Sequence, residues 1–230
     1  MAKKHGARQQ KRMAKQKAKR SAKRSIQTQR SSKDPTIRLQ RADKWPIVQS
    51  LAGAELWDEG IGYLLLVRQD PEGQFVFAGF LVDVYCLGVK NAFWDVGTRK
   101  ELEEMIGRME EVQQMKAISP ACLVKIATGA VDYAQSFGFR PHPDYRHAAM
   151  LLAGIDPSTC REKFTFGRDG KPLYIQGPHE STAQAAAITQ RVQEAGGHFV
   201  MALPGAGPQE YLAIEDELDE LDSPDEDDSP

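Results

Sequence analysis

The stretch that decides the fold reads Gly62-Tyr-Leu-Leu-Leu-Val-Arg68, then Asp70-Pro71-Glu72-Gly73, then Gln74-Phe-Val-Phe-Ala-Gly-Phe-Leu-Val-Asp-Val-Tyr-Cys-Leu-Gly-Val89. Two β-rich apolar runs joined by turn residues predict an antiparallel hairpin. The second run is apolar on both of its faces, which predicts a central strand with a bend at Gly79.

Helical periodicity follows this hairpin along the chain. Apolar residues at helical spacing predict an amphipathic helix over residues 99–116 that includes Val112. Ser119 followed by proline predicts the capped start of a second helix over residues 120–137. A shorter third helix is expected from residue 143 or 144 to about residue 153.

The remaining apolar segments predict one more hairpin, one helix and one strand. Residues 163–167 and 172–175 flank a tight turn at Asp169-Gly170, which is typical of a second hairpin. A helix over residues 181–195 and a strand over residues 198–203 follow. The expected order is β-β-α-α-α-β-β-α-β. Runs of strands and runs of helices without regular alternation indicate the α+β class.

Charge divides the chain into three parts. Residues 1–33 contain 13 Lys and Arg and no acid, and residues 1–44 carry 16 bases against two acids, a net charge of +14. Residues 210–230 contain 11 acids and no base. Segments this charged and this poor in apolar residues cannot bury enough surface to fold alone. We therefore predict a disordered basic arm at 1–44, a globular domain at 45–205 and a disordered acidic tail at 206–230.

The basic arm suggests a nucleic-acid partner, RNA or the ribosome, because each Lys or Arg that contacts a phosphate releases a condensed counterion. The leading hypothesis is a non-enzymatic cytoplasmic nucleic-acid-binding protein without a metal or other cofactor, whose globular domain provides specificity or docks a protein partner. The second alternative is an adaptor, in which both tails are solvated extensions of a protein-interaction domain. The arm residues expected to contact nucleic acid are Lys3, Lys4, Arg8, Lys11, Arg12, Lys15, Lys17, Lys19, Arg20, Lys23 and Arg24.

The first alternative is a metal-dependent nuclease or another hydrolase that uses Asp83, His142 and Asp144. Asp83 lies in the most apolar part of the chain, where an ionised carboxylate is costly unless it is paired or bound to a metal. His142 and Asp144 lie on a proline-rich bend, five and three residues before His147. Carboxylates and imidazoles are ligands for catalytic cations. The competing interpretation makes Asp83 an ordinary paired carboxylate, with Lys90 or Arg140 or a helix N-terminus as its partner. In that interpretation Asp144 caps a helix or complements its N-terminus, and His142 makes local hydrogen bonds.

Two further sets of residues allow both a structural and a functional interpretation. Aromatic residues of the apolar strands would form a base-stacking platform if they shared one exposed face, although core packing is the commoner role. They are Phe75, Phe77, Tyr85, Phe93 and Trp94. Cys86, Cys122 and Cys160 are too far apart in sequence for a paired zinc motif and are expected to be reduced core thiols in an intracellular protein. No apolar run approaches the ~18 residues needed to span a bilayer.

Overall fold

The computed structural model describes residues 34–177 and 180–200. The α-helices in these ranges are α1 (Pro35–Arg41), α2 (Leu56–Glu59), α3 (Arg99–Glu110), α4 (Pro120–Ser136), α5 (Tyr145–Ala148) and α6 (Thr182–Glu194). The strands are β1 (Ile47–Gly53), β2 (Ile61–Gln69), β3 (Phe75–Asp83), β4 (Gly88–Gly97), β5 (Met115–Ala117), β6 (Leu173–Ile175) and β7 (His198–Val200). Short 3-10 turns cover Ala42–Lys44, Ala149–Leu152 and Pro157–Thr159. This mixture of helices and strands confirms the α+β class.

Strands β1 to β5 form one antiparallel sheet in the order β4-β3-β2-β1-β5. The predicted first hairpin is confirmed, since β2 pairs with β3 as far as Gln69 opposite Phe75. Asp70 holds the turn between them by accepting hydrogen bonds from the backbone N–H groups of Glu72 and Gln74 at 2.8 and 2.9 Å. Strand β3 lies between β2 and β4 and is buried along most of its length, as an apolar strand of this kind should be.

The second apolar run forms parts of two strands instead of one. The chain leaves β3 at Asp83, turns over residues 84–87 and returns as β4. At Gly79, where a bend was expected, β3 is continuous, and the irregularity in its pairing with β4 lies between Leu81 and Val82. A Cβ at Gly79 would lie 2.3 Å from the ring of Phe93, its neighbour on β4, so the glycine makes room for that ring. The sequence did not predict β1, β4 or β5 as strands, and the predicted order of elements omitted them.

The two faces of the sheet are covered by different helices. Leu123, Ile126 and Ala130 of α4 are buried in the larger core cluster, while α3 lies over the other face with Leu102 and Met105 in a second cluster. Both predicted helices are confirmed, and Ser119 caps α4 as expected. Helix α3 ends at Glu110, earlier than predicted, so Val112 falls outside it and is 73% exposed.

The N-terminal boundary of the folded domain differs from the prediction. Residues 34–44, which the sequence assigned to the disordered arm, form α1 and a 3-10 turn. Asp34 caps α1, and Leu39 is 1% exposed in the core. Arg38 of α1 forms ion pairs with Asp70 and Glu72. Periodicity could not reveal this helix because it has seven residues and only two large apolar side chains. Residues 1–33 lie outside the described residues.

The third predicted helix is mixed in type. Helix α5 covers one turn and continues as a 3-10 helix over Ala149–Leu152, so residues 145–152 of the predicted range are helical. The guanidinium of Arg68, a residue that is 4% exposed, donates hydrogen bonds to the carbonyls of Leu151, Ala153, Trp45 and Asp43 at 2.8–3.1 Å. Burial lowers the pKa of Arg68 from its usual value, with Asp43 acting in the opposite direction. One side chain thereby attaches two irregular segments to the sheet.

The second predicted hairpin is wrong. Residues 163–167 form no strand, and the turn at Asp169 and Gly170 closes only a single bridge between Arg168 and Lys171. Strand β6 instead pairs with β7 in parallel, and α6 connects them. The predicted helix over residues 181–195 is confirmed as α6, which begins at a capping box formed by Ser181 and Gln184. Strand β7 is confirmed over residues 198–200, and its predicted continuation to residue 203 lies outside the described residues.

Cys122 and Cys160 form a disulfide, so the expectation that both are reduced thiols is wrong. The bond joins the first turn of α4 to the segment after the Pro157–Thr159 turn, across 38 residues. Cys86 is a free buried thiol whose pKa is raised by burial, which agrees with the prediction of an inert core cysteine. Since disulfides are rare in reducing compartments, the cysteines give no support to an intracellular location.

Candidate nucleic-acid interface

A surface cleft of about 690 Å³ opens between the start of β4, the bend that follows α4, and α6. Gly138, at φ 81°, ends α4 and begins this bend. The backbone N–H of His142 donates a 2.9 Å hydrogen bond to the carbonyl of Val89, which fixes the bend against β4. Apolar residues such as Phe139 and Ile188 also line the cleft. We call it the cationic cleft, after the charged residues that line it: Lys90, Arg140, His142, Glu180 and Arg191.

Two arginines give the cationic cleft its free positive charge. Arg140 is exposed and has no hydrogen-bond or ion-pair partner among residues 34–177 and 180–200. The guanidinium of Arg191 lies 5.6 Å from the ring centroid of Phe139 and donates a 3.1 Å hydrogen bond to the carbonyl of Gly138. Arg191 is exposed, and its other guanidinium N–H groups have no acceptor among residues 34–177 and 180–200. Planar guanidinium donors suit the oxygens of a phosphate or carboxylate.

The two other full charges of the cleft neutralise each other. Lys90 and Glu180 form a 2.8 Å ion pair, with their side chains 22% and 17% exposed. Glu180 also accepts hydrogen bonds from the hydroxyl of Tyr174 at 2.5 Å and the N–H of Gly177 at 3.1 Å. Burial alone would raise the pKa of Glu180, but the bonds from Lys90 and Tyr174 outweigh burial and lower it. Glu180 is therefore an ionised structural group that connects β4, β6 and the start of α6.

The bend over residues 142–147 is local structure and does not gather ligands. The Nδ1 of His142 accepts a hydrogen bond from the backbone N–H of Asp144 at 3.3 Å and lies 3.8 Å from the carboxylate of Asp144. Asp144 is the N-cap residue of α5, and its side chain makes no capping hydrogen bond, so of the structural interpretation only the placement of its charge at the helix N-terminus applies. His147 is exposed on α5. Of the three, only His142 lines the cationic cleft.

Asp83 holds the turn between β3 and β4. It is 8% exposed, and its Oδ1 accepts hydrogen bonds from the backbone N–H groups of Tyr85 and Cys86 at 3.0 and 2.8 Å. Burial raises the pKa of Asp83 to about 6, although those bonds and the charge of Lys90 act in the opposite direction. The Oδ1 of Asp83 thus accepts hydrogen bonds from its own turn, and Lys90 is the charge near it. This agrees with the interpretation of Asp83 as a structural carboxylate.

The ligand set of the nuclease alternative is not assembled. Among residues 34–177 and 180–200, no group of three His, Cys, Asp or Glu side chains could hold a metal ion, so Asp83, His142 and Asp144 form no such group. A two-metal or one-metal mechanism needs several such ligands around the cation.

The aromatic residues considered as a stacking platform do not share an exposed face. Phe75 and Phe77 are 5% and 4% exposed and pack with Phe93 beneath α3. Trp94 packs on the opposite side of the sheet, with the larger core, and Tyr85 lies in the turn after β3. Core packing, the commoner role of such residues, therefore accounts for the four aromatic side chains that lie on β3 and β4.

Sequence reasoning did not reveal that Arg140 and Arg191 line the same cleft. The two residues are 51 positions apart, and Arg191 lies on the exposed side of α6, where a basic residue resembles any solvated one. The only sequence signal was the density of proline and glycine around Arg140, which indicated a rigid bend but no partner. The predicted nucleic-acid contacts from Lys3 to Arg24 lie outside the described residues.

None of the helices within residues 34–177 and 180–200 is long and apolar enough to cross a membrane. Comparisons with protein-family models, with curated proteins and with solved structures found no match to this chain.

Proposed function

We propose that this chain is a non-enzymatic, cytoplasmic nucleic-acid-binding protein, associated with RNA or the ribosome. The observation that carries the proposal is the run of 13 bases without an acid in residues 1–33. Neutralising phosphates with this segment releases counterions, which supplies affinity without requiring a folded site. The same mechanism makes the binding depend steeply on salt.

The folded domain supplies a second contact in this proposal. Helix α1 follows the basic segment directly, and it packs against β4, as α5 does. The basic segment therefore joins the domain on the sheet face that also carries the bend around Arg140. Arg140 and Arg191 offer two further guanidinium groups to the same phosphate backbone.

Deleting residues 1–33 tests the main contact. The truncated chain keeps Asp34, which caps α1, and therefore should unfold at the same temperature as the full chain. We expect it to lose most of its affinity for an RNA oligonucleotide in fluorescence anisotropy. The full chain should show a slope of log affinity against log salt of about −0.7 for each single-strand phosphate contacted. Equal affinities of the two chains at the same salt would refute the proposal.

Reversing charges in the cationic cleft tests the second contact. The double variant Arg140→Glu/Arg191→Glu should bind more weakly and reduce the salt slope by about 0.7 for each single-strand phosphate that the cleft no longer neutralises. The matched control, Lys100→Glu/Arg108→Glu, makes the same charge change on exposed residues of α3, across the sheet. If both variants weaken binding equally, the effect comes from net charge and the cleft is not a contact.

The acidic residues 210–230 provide a test of competition for the basic segment. If they compete with nucleic acid for residues 1–33, deleting them should tighten binding, most strongly at low salt where screening is weak. Unchanged affinity at low ionic strength would show that the acidic segment has no part in binding.

The cytoplasmic part of the proposal has its own test, because the disulfide favours an oxidising compartment. Because both cysteines are buried, cells are lysed directly into acid and denaturant, free thiols are alkylated in the unfolded chain, and the modified cysteines are identified by mass spectrometry. Alkylated Cys122 and Cys160 would support a cytoplasmic protein, whereas protected cysteines that react only after reduction would contradict it.

A further inference from the structure

A second cleft, of about 660 Å³, also borders the turn over residues 84–87. Three aromatic side chains line it: Trp57 of α2, Tyr85 of the turn, and Phe164 from the irregular segment after the disulfide. Each of the three is half-buried, so part of each ring faces the open space. We call this the aromatic cleft.

The rings of the aromatic cleft are held in place by the surrounding chain. Trp57 and Phe164 stack with their centroids 5.2 Å apart and their planes within 6°. The hydroxyl of Tyr85 donates a 2.7 Å hydrogen bond to the carbonyl of Trp57. Lys125 lies 5.9 Å from the Phe164 centroid and donates to the carbonyls of Cys160 and Glu162 at 3.1 and 2.6 Å. A fixed aromatic surface loses little entropy when a flat ligand stacks on it.

Unused polar groups surround these rings. Lys163, Glu162 and Asp169 line the cleft and are exposed, and within the described part of the chain their side chains have no hydrogen-bond or ion-pair partner. The indole N–H of Trp57 likewise has no acceptor among residues 34–177 and 180–200. Donors and acceptors beside an aromatic surface suit a nucleobase, which has a flat face and a polar edge.

The two clefts meet at one turn. Tyr85 lines the aromatic cleft and Leu87 lines the cationic cleft, so the turn over residues 84–87 borders both. In this inference a strand whose phosphates lie on Arg140 and Arg191 crosses that turn and places a base in the aromatic cleft, provided that the base is not held in a duplex.

We propose that the aromatic cleft binds an unpaired nucleobase by stacking beside Trp57, so that the chain prefers single-stranded nucleic acid. This inference rests on the proposed function, because the phosphates of the strand are contacted by residues 1–33 and the cationic cleft. Stacking is tolerant of sequence, since every base has an aromatic face. The cleft thus adds a preference for unpaired strands and none for a particular base.

An abasic strand separates stacking from phosphate contacts. The full chain is titrated with a short labelled single-stranded oligonucleotide and with an abasic strand of equal length, which keeps the phosphates and lacks the bases. We expect the base-bearing strand to bind about 5- to 100-fold more tightly, the range that stacking of one base on an aromatic ring gives. A duplex of the same sequence should behave like the abasic strand at equal phosphate number.

Variants then locate the stacking site. Trp57→Leu should lose the preference for the base-bearing strand while its affinity for the abasic strand stays unchanged. Trp94→Leu is the matched control, since Trp94 is also half-buried but lies on β4 in a different cavity. Phe164→Leu should also lose the preference for the base-bearing strand. If thermal unfolding shows that Trp57→Leu does not fold, Phe164→Leu is compared with Trp94→Leu in its place.

The possible failures are distinguishable. If the wild-type chain binds both strands equally well, the aromatic cleft binds no base, while the proposed function stands on the phosphate contacts. A preference that persists in Trp57→Leu and Phe164→Leu would place the base elsewhere and overturn the inference. If neither strand binds, the proposed function fails and the inference fails with it.

Discussion

The helices on the sheet and the irregular segments beside it are held in different ways. Helices α3 and α4 are attached by stripes of buried apolar residues such as Leu102 and Ile126. The irregular chain after α5 and the turn over residues 84–87 are attached by individual polar or covalent links, namely Arg68, the Cys122–Cys160 disulfide and Asp83. A stripe distributes its stabilisation over many side chains, whereas a link concentrates it in one, so single substitutions should affect the two regions unequally.

Removing Arg68 should have the largest effect. Arg68→Met would leave the four carbonyls that its guanidinium contacts without their donor. Hydrogen bonds to charged groups are worth more than neutral ones, but relief of the guanidinium's own desolvation offsets part of the loss, so we expect the free energy of unfolding to fall by about 4 to 5 kcal/mol. Urea denaturation measures this change.

The control for this prediction is Arg68→Lys, which keeps a positive charge but lacks the planar fork of donors. It should recover only part of the stability. If Arg68→Met is as stable as the wild type, the segments around Leu151 and Trp45 are held by apolar packing, and the distinction between the two regions fails.

Breaking the disulfide should have the next largest effect. Its two cysteines are 38 residues apart, and closing a loop of that size lowers the entropy of the unfolded chain by an amount worth up to about 4 kcal/mol. We therefore expect dithiothreitol to lower the melting temperature of the wild-type protein. Cys122→Ser/Cys160→Ser should melt at that lower temperature with or without the reductant.

The double variant also controls for Cys86, the remaining free thiol. Burial raises the pKa of Cys86, which keeps it as an unreactive thiol and disfavours its exchange with the disulfide. A melting temperature that dithiothreitol leaves unchanged in the wild type would show that the bond contributes nothing to stability.

Asp83 should make stability depend on pH. Burial raises its pKa to about 6 in the folded protein, above the ordinary value of 3.8. The folded state thus binds the proton more tightly than the unfolded state, so the contribution of Asp83 to stability is complete below pH 3.8 and is lost as pH rises through about 6. The loss should reach up to about 3 kcal/mol, at 1.36 kcal/mol for each pKa unit.

Asp83→Asn isolates this effect from the other carboxyl groups. The asparagine oxygen can still accept from Tyr85 and Cys86, but it does not ionise. The difference in unfolding free energy between wild type and variant should therefore change with pH between 3.8 and 6 and stay constant above that range. A constant difference from pH 3 to 8 would mean that Asp83 is not desolvated as its burial indicates.

The same contrast explains which parts of the fold the sequence could predict. The stripes of α3, α4 and α6 repeat every three to four residues, and the β2–β3 hairpin has turn residues between two apolar runs, so local patterns were sufficient. The links carry no local pattern. Nothing near Cys122 indicates Cys160, and nothing in residues 163–175 shows that β6 pairs with β7 instead of its nearer neighbour.

The candidate site was predictable only in part, for the same reason. The rigid bend at His142 and the buried environment of Asp83 were visible in the sequence, because proline and apolar neighbours are local features. The approach of Arg191 to Phe139, and of Trp57 to Phe164, depends on elements about 50 and 107 residues apart. Such contacts follow from the tertiary fold, which a single sequence does not show.

The smallest change in stability should come from removing the N-cap of α3, a helix that is attached to the sheet by an apolar stripe. Thr98 begins the helix with a capping box, in which its hydroxyl accepts from the N–H of Glu101 and the Glu101 carboxylate accepts from the N–H of Thr98 at 2.7 Å. Losing an N-cap side chain costs about 1 kcal/mol, so Thr98→Ala should lower the free energy of unfolding by roughly that amount. The hydrogen bonds from Thr98 also lower the pKa of Glu101. This pKa should therefore move towards its ordinary value in the variant, as an NMR titration would show.

Val112→Ala is the control, because Val112 lies beyond the end of α3 and is exposed. It should change stability by less than about 0.5 kcal/mol. If Thr98→Ala destabilises the protein more than Arg68→Met does, the stabilisation is concentrated at the helix ends and not in the links to the irregular segments.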